Sequence, residues 1–436
     1  MLRNLVFSVL LLLMVSPPII EAQEARKRWE RMGQIRRDKF DLILPEVMRD
    51  NSIDMWIVMM KEGHMDPLYE DLGRGYVGSV GYYIFTDLGE NRIERVALGI
   101  SGYLLEENGA YDLITGDFDL KTFVNERDPD RIAINMSEAI GGADGLSHTS
   151  YLQLMNQLGS PYNNRLVSAE KLVSEFRSRR VASELVAFGE AAEISRNIAE
   201  KAFSNKVITP GETTLEDVAW WMMDQLLANG LSSSFDMPSV YITGPEGIEA
   251  TSDDTIIQRG DLLMIDWGVG YLNFHTDLKR IAYVLREGET HLPSGFQNAF
   301  DQARVARNII RNNIRPGPTA AETFELLNDQ LREAGFSVMD TFNQPSDGDR
   351  TDIITGNHSV GNLGHGIGPS IAWFNPLRMT YNLHPGNLLS IELFAYTKVP
   401  EWAGAKVRIP LEDDAVVTAR GIEWLYPINE KILLIK

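Results

Sequence analysis

The chain has 436 residues, 44% of them apolar and 23% charged, the balance of a soluble globular protein with room for about two to three domains. Lysine and arginine number 41 against 61 aspartates and glutamates, a formal charge of −20 that repels phosphate backbones and argues against a nucleic-acid partner. The absence of cysteine excludes disulfides, thiol nucleophiles, zinc ribbons and iron–sulfur clusters, so any metal must be held by Asp, Glu and His.

Residues 5–15 form an apolar run interrupted only by Ser8, about half the length a helix needs to cross a bilayer, followed by Pro17 and Pro18. The pattern predicts a signal peptide over residues 1–22, cut near Ala22, and a secreted or periplasmic protein with no stable membrane insertion after cleavage. An uncleaved N-terminal anchor is the alternative. Residues 24–48 read as a charged helix whose Arg26, Lys27, Arg28, Arg31, Arg36 and Arg37 form a solvated face. Residues 53–60 read as a buried strand, 81–85 and 95–100 as a hairpin around a turn at 87–91, and 131–135 as another strand. Short helices follow at 151–158 and 169–176. These make an N-terminal α/β domain over residues 23–178, and residues 179–436 form a second domain beginning with a long helix over 183–203.

The second domain carries an internal repeat. Pro210-Gly211-Glu212-Thr213 and Pro316-Gly317-Pro318-Thr319 each precede a Glu three residues on, at Glu216 and Glu322. Each T-x-x-E reads as a capping box opening a helix, and each helix has Gly as its stop, at Gly230 and Gly335. Two such phrases, each followed by strands, predict two related α/β halves about a pseudo-twofold axis.

Four acids interrupt apolar strands here: Asp266 within residues 262–268, Asp277 on the returning strand of the same hairpin, Glu392 within 388–396, and Glu412 at the head of 412–418. His365 stands between Gly364 and Gly366. Taken singly, each has a plain reading: an acid on a polar strand face, a turn histidine, a solvated acidic edge. Sharing one pocket, four carboxylates repel strongly unless cations neutralise them, and two divalent metals would do so. Oxygen-rich ligation with one imidazole suits Mn, Zn, Co or Fe. Such a pair can hold a bridging hydroxide and polarise a carbonyl.

These features resemble the catalytic domain shared by methionine aminopeptidase, Xaa-Pro aminopeptidase, prolidase and creatinase, and are most similar to a secreted Xaa-Pro aminopeptidase-like branch. The resemblance rests on the ten residues between Asp266 and Asp277, on Gly364-His365-Gly366-Ile367-Gly368, on Ile391-Glu392 and on Glu412-Asp413-Asp414 followed by Thr418. It implies an α/β (α+β) protein with a C-terminal pita-bread catalytic domain containing the pseudo-twofold repeat. A smaller creatinase-type N-terminal α/β domain would precede it. It implies Asp266, Asp277, His365, Glu392 and Glu412 as ligands of two divalent metals, Mn first, with Asp277 and Glu412 bridging. It also implies Glu392 as the proton shuttle and a homodimer as the assembly.

The substrate shell departs from that pattern. Glu249-Ala250-Thr251 and Ala372 stand where the peptidases usually carry two histidines, and Pro410 stands where they carry an Arg. His275, His358, Glu249, Trp373 and Arg408 are the replacement candidates for substrate binding, with His384 a further histidine; each is otherwise a structural or surface residue. The implied function is a dinuclear aminopeptidase acting at peptide N-termini, with Xaa-Pro bonds as the specific form. A non-peptide hydrolase or lyase on the same metal-bound fold, or a non-catalytic binding relative, are the alternatives. The substrate is accordingly a peptide or a small molecule.

Overall fold

The computed structural model describes residues 24–90, 92–249, 254–342, 344–362 and 366–436, with Glu249 described in its backbone alone. The predicted signal segment 1–22, Asn91 of the predicted turn, Ala250 and Thr251, and the pair Gly364 and His365 lie outside the described residues. Among the described residues, no helix is long and apolar enough to cross a membrane.

The N-terminal part is a mixed six-stranded sheet. Its strands are β1 (Met55–Met60), β2 (Tyr76–Asp87), β3 (Ile93–Ser101), β4 (Leu113–Thr115), β5 (Ile132–Ile134) and β6 (Leu166–Ser168), in the order β4-β3-β2-β1-β5-β6. The predicted hairpin is the antiparallel β2–β3 pair, with Phe85 opposite Arg95. All six residues of β1 are buried because helices cover both faces: Trp56, Val58 and Met60 enter one core, and Met55, Ile57 and Met59 the other.

Residues 24–48 are two helices rather than one, Glu24–Leu42 and Leu44–Asp50. Pro45, lacking an N–H, cannot continue the first helix but fits the opening turn of the second. The basic face is only partly solvated. Arg36 is buried, donating to the carbonyls of Asp71 and Glu70 and to Asn108, which ties the helix to the short helix Tyr69–Leu72 before β2. Arg26 and Lys27 are exposed as expected.

The C-terminal part has the pita-bread architecture. A five-stranded sheet runs β21-β13-β10-β8-β9, from β8 (Ser239–Gly244), β9 (Gly247–Glu249), β10 (Leu262–Trp267), β13 (Leu278–Val284) and β21 (Leu433–Ile435). A small sheet of β7 (Ser232–Ser233), β11 (Val269–Tyr271) and β12 (Phe274–His275) lies beside it. The second half is a seven-stranded sheet of β14 (Ser337–Val338), β15 (Asp352–Thr355), β16 (Asn357–Ser359), β17 (Ser370–Ile371), β18 (Leu388–Lys398), β19 (Lys406–Thr418) and β20 (Gly421–Trp424). Helices Ala182–Ala202 and Leu215–Ala228 share a core with β10 and β13, and helices Ser294–Asn313 and Ala320–Glu333 share one with β18 and β19. Strands β13 and β19 pack together, so the two halves meet along the strands that carry the acids.

The two repeat phrases cap helices, with one offset. Thr319 and Glu322 form the predicted box. In the first repeat the box is Thr214 with Asp217, one residue later than Thr213 with Glu216. The Thr213 hydroxyl is engaged in the preceding turn, accepting from the Thr209 N–H, and Glu216 accepts from the Trp220 indole instead. Gly230 and Gly335 both take left-handed backbone at the helix ends, at φ +60° and +94°.

Candidate metal centre

The centre is assembled by strand register. Antiparallel pairing of β10 with β13 sets Asp266 opposite Lys279, and Asp277 lies just before β13 begins. Side chains alternate along a strand, so Asp277 and Lys279 share one face and Arg280 takes the other. On the facing half, β18 and β19 pair with Glu392 directly opposite Glu412, and β16 sets His358 opposite Ser390. Gly356, just before β16, allows this approach, because a Cβ there would lie 2.7 Å from a Glu392 carboxylate oxygen.

The four predicted acids converge. Asp277, Glu392 and Glu412 are buried, and the Asp266 side chain is 29% exposed, at the mouth. The Lys279 ammonium lies among them, 2.7 Å from Glu392 Oε1 and 3.1 Å from Asp266 Oδ2, and in contact with Glu412 Oε2. His358 is buried with Nε2 at 3.4 Å from Glu412, 3.6 Å from Glu392 and 4.0 Å from Asp277. Its Nδ1 faces the Ser359 carbonyl at 3.1 Å, which makes Nε2 the ring atom presented to the acids. The Ser390 hydroxyl donates to Glu412 Oε1 at 2.6 Å. Asp277 Oδ1 is buried without a hydrogen-bond partner. Asp277, His358 and Glu412 each offer a ligand atom within 4.8 Å of the others, the spread expected of residues around one cation.

Titration behaviour follows from this crowding. Burial and the neighbouring Glu412 charge push Asp277 well above the usual carboxylate range, and burial also raises Asp266 and Glu392. Glu412 is the exception: burial alone would raise it, but Lys279 and His358 outweigh burial and hold it at about 2. Burial lowers the basicity of the His358 imidazole, yet its contacts with Glu412 and Glu392 carry the net shift upward. The cluster thus holds more carboxylate than its own cations neutralise, and an added cation would meet an unpartnered oxygen.

The remaining sequence candidates fall in different places. Arg408 lies on the same face of β19 as Glu412, four residues away, with its guanidinium 4.1 Å from the centroid of the Phe394 ring. The substitution of Pro410 for the usual Arg therefore leaves a cation on the correct strand face. Trp373 and Phe374 meet Phe342 at centroid distances of 5.6 and 5.9 Å, and Phe342 meets Phe394 at 6.2 Å. This aromatic group reaches the centre through Phe394, over whose ring Lys279 Nζ lies 5.5 Å from the centroid. His275 pairs with Gly270 in the small sheet, and its carbonyl accepts from the Gly361 N–H. His384 lies by Arg179, 3.2 Å from its guanidinium. The backbone of Glu249 pairs with Ile242. Of the histidines with described side chains, it is His358, expected on the substrate side, that joins the acids.

Three members of the group were not singled out from the sequence. Lys279 and Phe394 were legible: each stands two residues from a candidate acid on a strand and must share its face. Phe342 lies in a loop, and no local pattern marks it. The acidic run 412–414 is not a solvated edge, since all three residues are fully buried.

The chain is similar to an uncharacterized peptidase of Bacillus subtilis, 26% identical over 268 residues, covering 59% of this chain and 64% of that one. It is 25% identical over 256 residues to a putative Xaa-Pro aminopeptidase of Mycoplasma pneumoniae, covering 58% and 63% of the two chains. The sequence matches thus span somewhat under two thirds of these relatives' lengths. Among solved structures, an X-Pro aminopeptidase of Thermotoga maritima superposes with a TM-score of 0.61 at 18% identity, over 89% of this chain and 99% of that one. A Xaa-Pro dipeptidase of Bacillus anthracis gives 0.60 at 18%, over 92% and 99%. Residues 187–419, which contain all five acidic and imidazole positions of the centre, match the model of metallopeptidase family M24, and the chain belongs to that family.

Proposed function

We propose that the protein is a metal-dependent exopeptidase that removes residues from peptide N-termini, with Xaa-Pro bonds as the favoured substrates. The carrying observation is the convergence of Asp266, Asp277, Glu392, Glu412 and His358 at the junction of the two half-sheets, with Asp277 Oδ1 buried and unpartnered. A divalent cation bound there would supply Lewis acidity toward a water and a carbonyl oxygen. Asp277, His358 and Glu412 would hold it; Mn is the first candidate metal, with Zn, Co and Fe next.

The chain's own residues divide the remaining work. Glu392, raised by burial and next to Lys279, is placed to take and return a proton at the cleaved bond. Arg408 and the exposed end of Asp266 line the approach, and can pair with the charged ends of a short peptide. Phe342, Trp373, Phe374 and Phe394 offer an apolar wall on which a pyrrolidine ring can pack. Export rests on the pattern of residues 1–22, and a homodimer on the family likeness.

The test is a panel of peptides with varied N-termini, including Xaa-Pro members, incubated with the Mn-loaded protein and read by mass spectrometry, with Asp277→Asn as the control. Release of single N-terminal residues by the parent and not by the control supports the reading. A correctly folded, metal-loaded parent that releases nothing refutes it. Lys279 within the carboxylate cluster, together with Ala372 in place of a usual histidine, favours non-peptide hydrolysis or lyase chemistry as the second reading.

A further inference from the structure

The site does not have the composition of a pair of metals held by carboxylates and imidazole alone. Lys279 Nζ is in ion-pair contact with three of the four acids: Asp266, Glu392 and Glu412. The placement is dictated by the strand rather than by a chance rotamer. Lys279 stands opposite Asp266 in the β10–β13 ladder and two residues after Asp277, so its stem enters the centre on the acid-bearing face. The side chain is 8% exposed, leaving the ammonium no route to bulk water that keeps its stem in place. The fourth acid, Asp277, has no ion pair with the lysine among the described contacts, keeps an unpartnered Oδ1, and shares its neighbourhood with His358 and Glu412.

We propose that the Lys279 ammonium permanently occupies one of the two cation positions of this centre, so that the protein holds a single divalent metal, bound by Asp277, His358 and Glu412. Asp266 and Glu392 then serve the lysine. Charge agrees with this assignment. Four carboxylates against one ammonium leave three negative charges, which one divalent cation reduces to one. A second divalent cation would press against the ammonium. A fixed internal cation also ties Glu392 in place through a charge-assisted hydrogen bond, rather than through a metal that can dissociate. This inference deepens the metal-dependent reading above and rests on it for the one metal.

The experiment is metal stoichiometry by elemental analysis on the full-length protein, saturated with Mn and freed of excess, in the parent, Lys279→Met, Asp266→Asn and Asp277→Asn. The parent is expected to hold about one Mn per chain and Lys279→Met a second, since the methionine keeps the stem volume and removes the competing charge. Asp277→Asn should lose affinity by more than the roughly 10–100-fold that outer partners of a metal site are worth, whereas Asp266→Asn should stay within that range. Two Mn per chain in the parent, one in both parent and Lys279→Met, or equal losses in Asp266→Asn and Asp277→Asn would each overturn the proposal, as would a parent that binds none. Should Lys279→Met fail to fold, the parent stoichiometry and the Asp266/Asp277 contrast decide alone. One Mn per chain with no peptide cleaved would leave the lysine assignment standing and remove the peptidase reading, so the two fail separately.

Discussion

Lys279 and Arg280 are consecutive residues of one strand, and they face two charge clusters built partly from the same neighbouring strand. On the Arg280 side the carboxylate is saturated, and the atoms left without hydrogen-bond partners are donors, Arg280 Nε and Nη2 and Arg307 Nε. Asp413 Oδ1 accepts from Arg280 at 2.9 Å, Oδ2 accepts from the Asn429 N–H at 2.9 Å, and Arg307 stands 3.8 Å away. On the Lys279 side four acids share one lysine and one histidine, and a carboxylate oxygen has no partner. Both clusters are buried, so the difference is not one of solvent. A buried charge without compensation is costly, and a chain that needed only to join β13 to β19 would repeat the saturated arrangement. The unsaturated face is therefore the candidate seat of a bound cation, and the saturated one is where the two half-sheets are joined.

The largest expected effect tests the first half of that statement. Asp277→Asn keeps the shape of the side chain and removes its charge. We expect kcat/KM on any cleaved peptide to fall by about 10^3-fold or more, several kcal/mol of transition-state stabilisation, with only a small change in melting temperature. A melting curve shifted as far as the activity would put Asp277 in the structural class and break the distinction. The reciprocal change is Arg280→Met, which strands Asp413. Removing one partner of a buried pair costs about 3–5 kcal/mol, so denaturant unfolding should show a large loss of stability. The Mn content of the fraction that remains folded should be unchanged; loss of Mn in step with stability would mean the two faces act as one unit.

Protonation separates the faces more finely. Asp266, Asp277 and Glu392 are raised, so the folded, metal-free protein holds protons that the unfolded chain has released. Their contribution to stability is present at low pH and is lost as pH rises from the ordinary carboxylate values through the raised ones. Glu412 has the opposite sign: held at about 2 against an ordinary 4.5, it stabilises the fold above about pH 4.5 and stops doing so as pH falls toward 2. A chelator-treated sample should therefore lose melting temperature as pH rises above the ordinary carboxylate range, and Mn should restore it by a margin that shrinks on acidification. A margin independent of pH would show that the raised acids are not the ones the metal meets.

The two faces also mark how far the sequence could be read. The four acids, their strands and the hairpin of the first two were visible because an acid inside an apolar strand is a costly choice and Asp266 and Asp277 flank a short turn. The repeat was visible through Pro-Gly starts and Gly stops, although the first box lies one residue later because Thr213 is engaged in the turn. Arg280, Arg307 and Asp413 were not legible as a set, since they come from three elements joined only by the tertiary fold. The same holds for Arg36, whose buried guanidinium is met by the carbonyls of Glu70 and Asp71 in the short helix Tyr69–Leu72. Lys279 is the instructive omission. Strand period alone places it beside Asp277, yet a lysine next to an arginine reads as surface until the facing strands are known.

The smallest expected effect concerns Arg408, which stands at the edge of the unsaturated face without ion-pairing to it among the described residues. Its guanidinium stacks on Phe394, a contact worth about 0.5–1 kcal/mol at a partly exposed site. Arg408→Ala should therefore shift stability by no more than about that amount, and leave the Mn content at the parent value. If Arg408 meets the charged end of a peptide, KM should rise by about tenfold, the loss of one charge-assisted hydrogen bond, while kcat stays within about a factor of three. A fall in kcat with KM unchanged would place Arg408 at the reacting bond instead. A loss of Mn would extend the unsaturated cluster to the end of β19 and make the arginine, like Lys279, one of its internal cations.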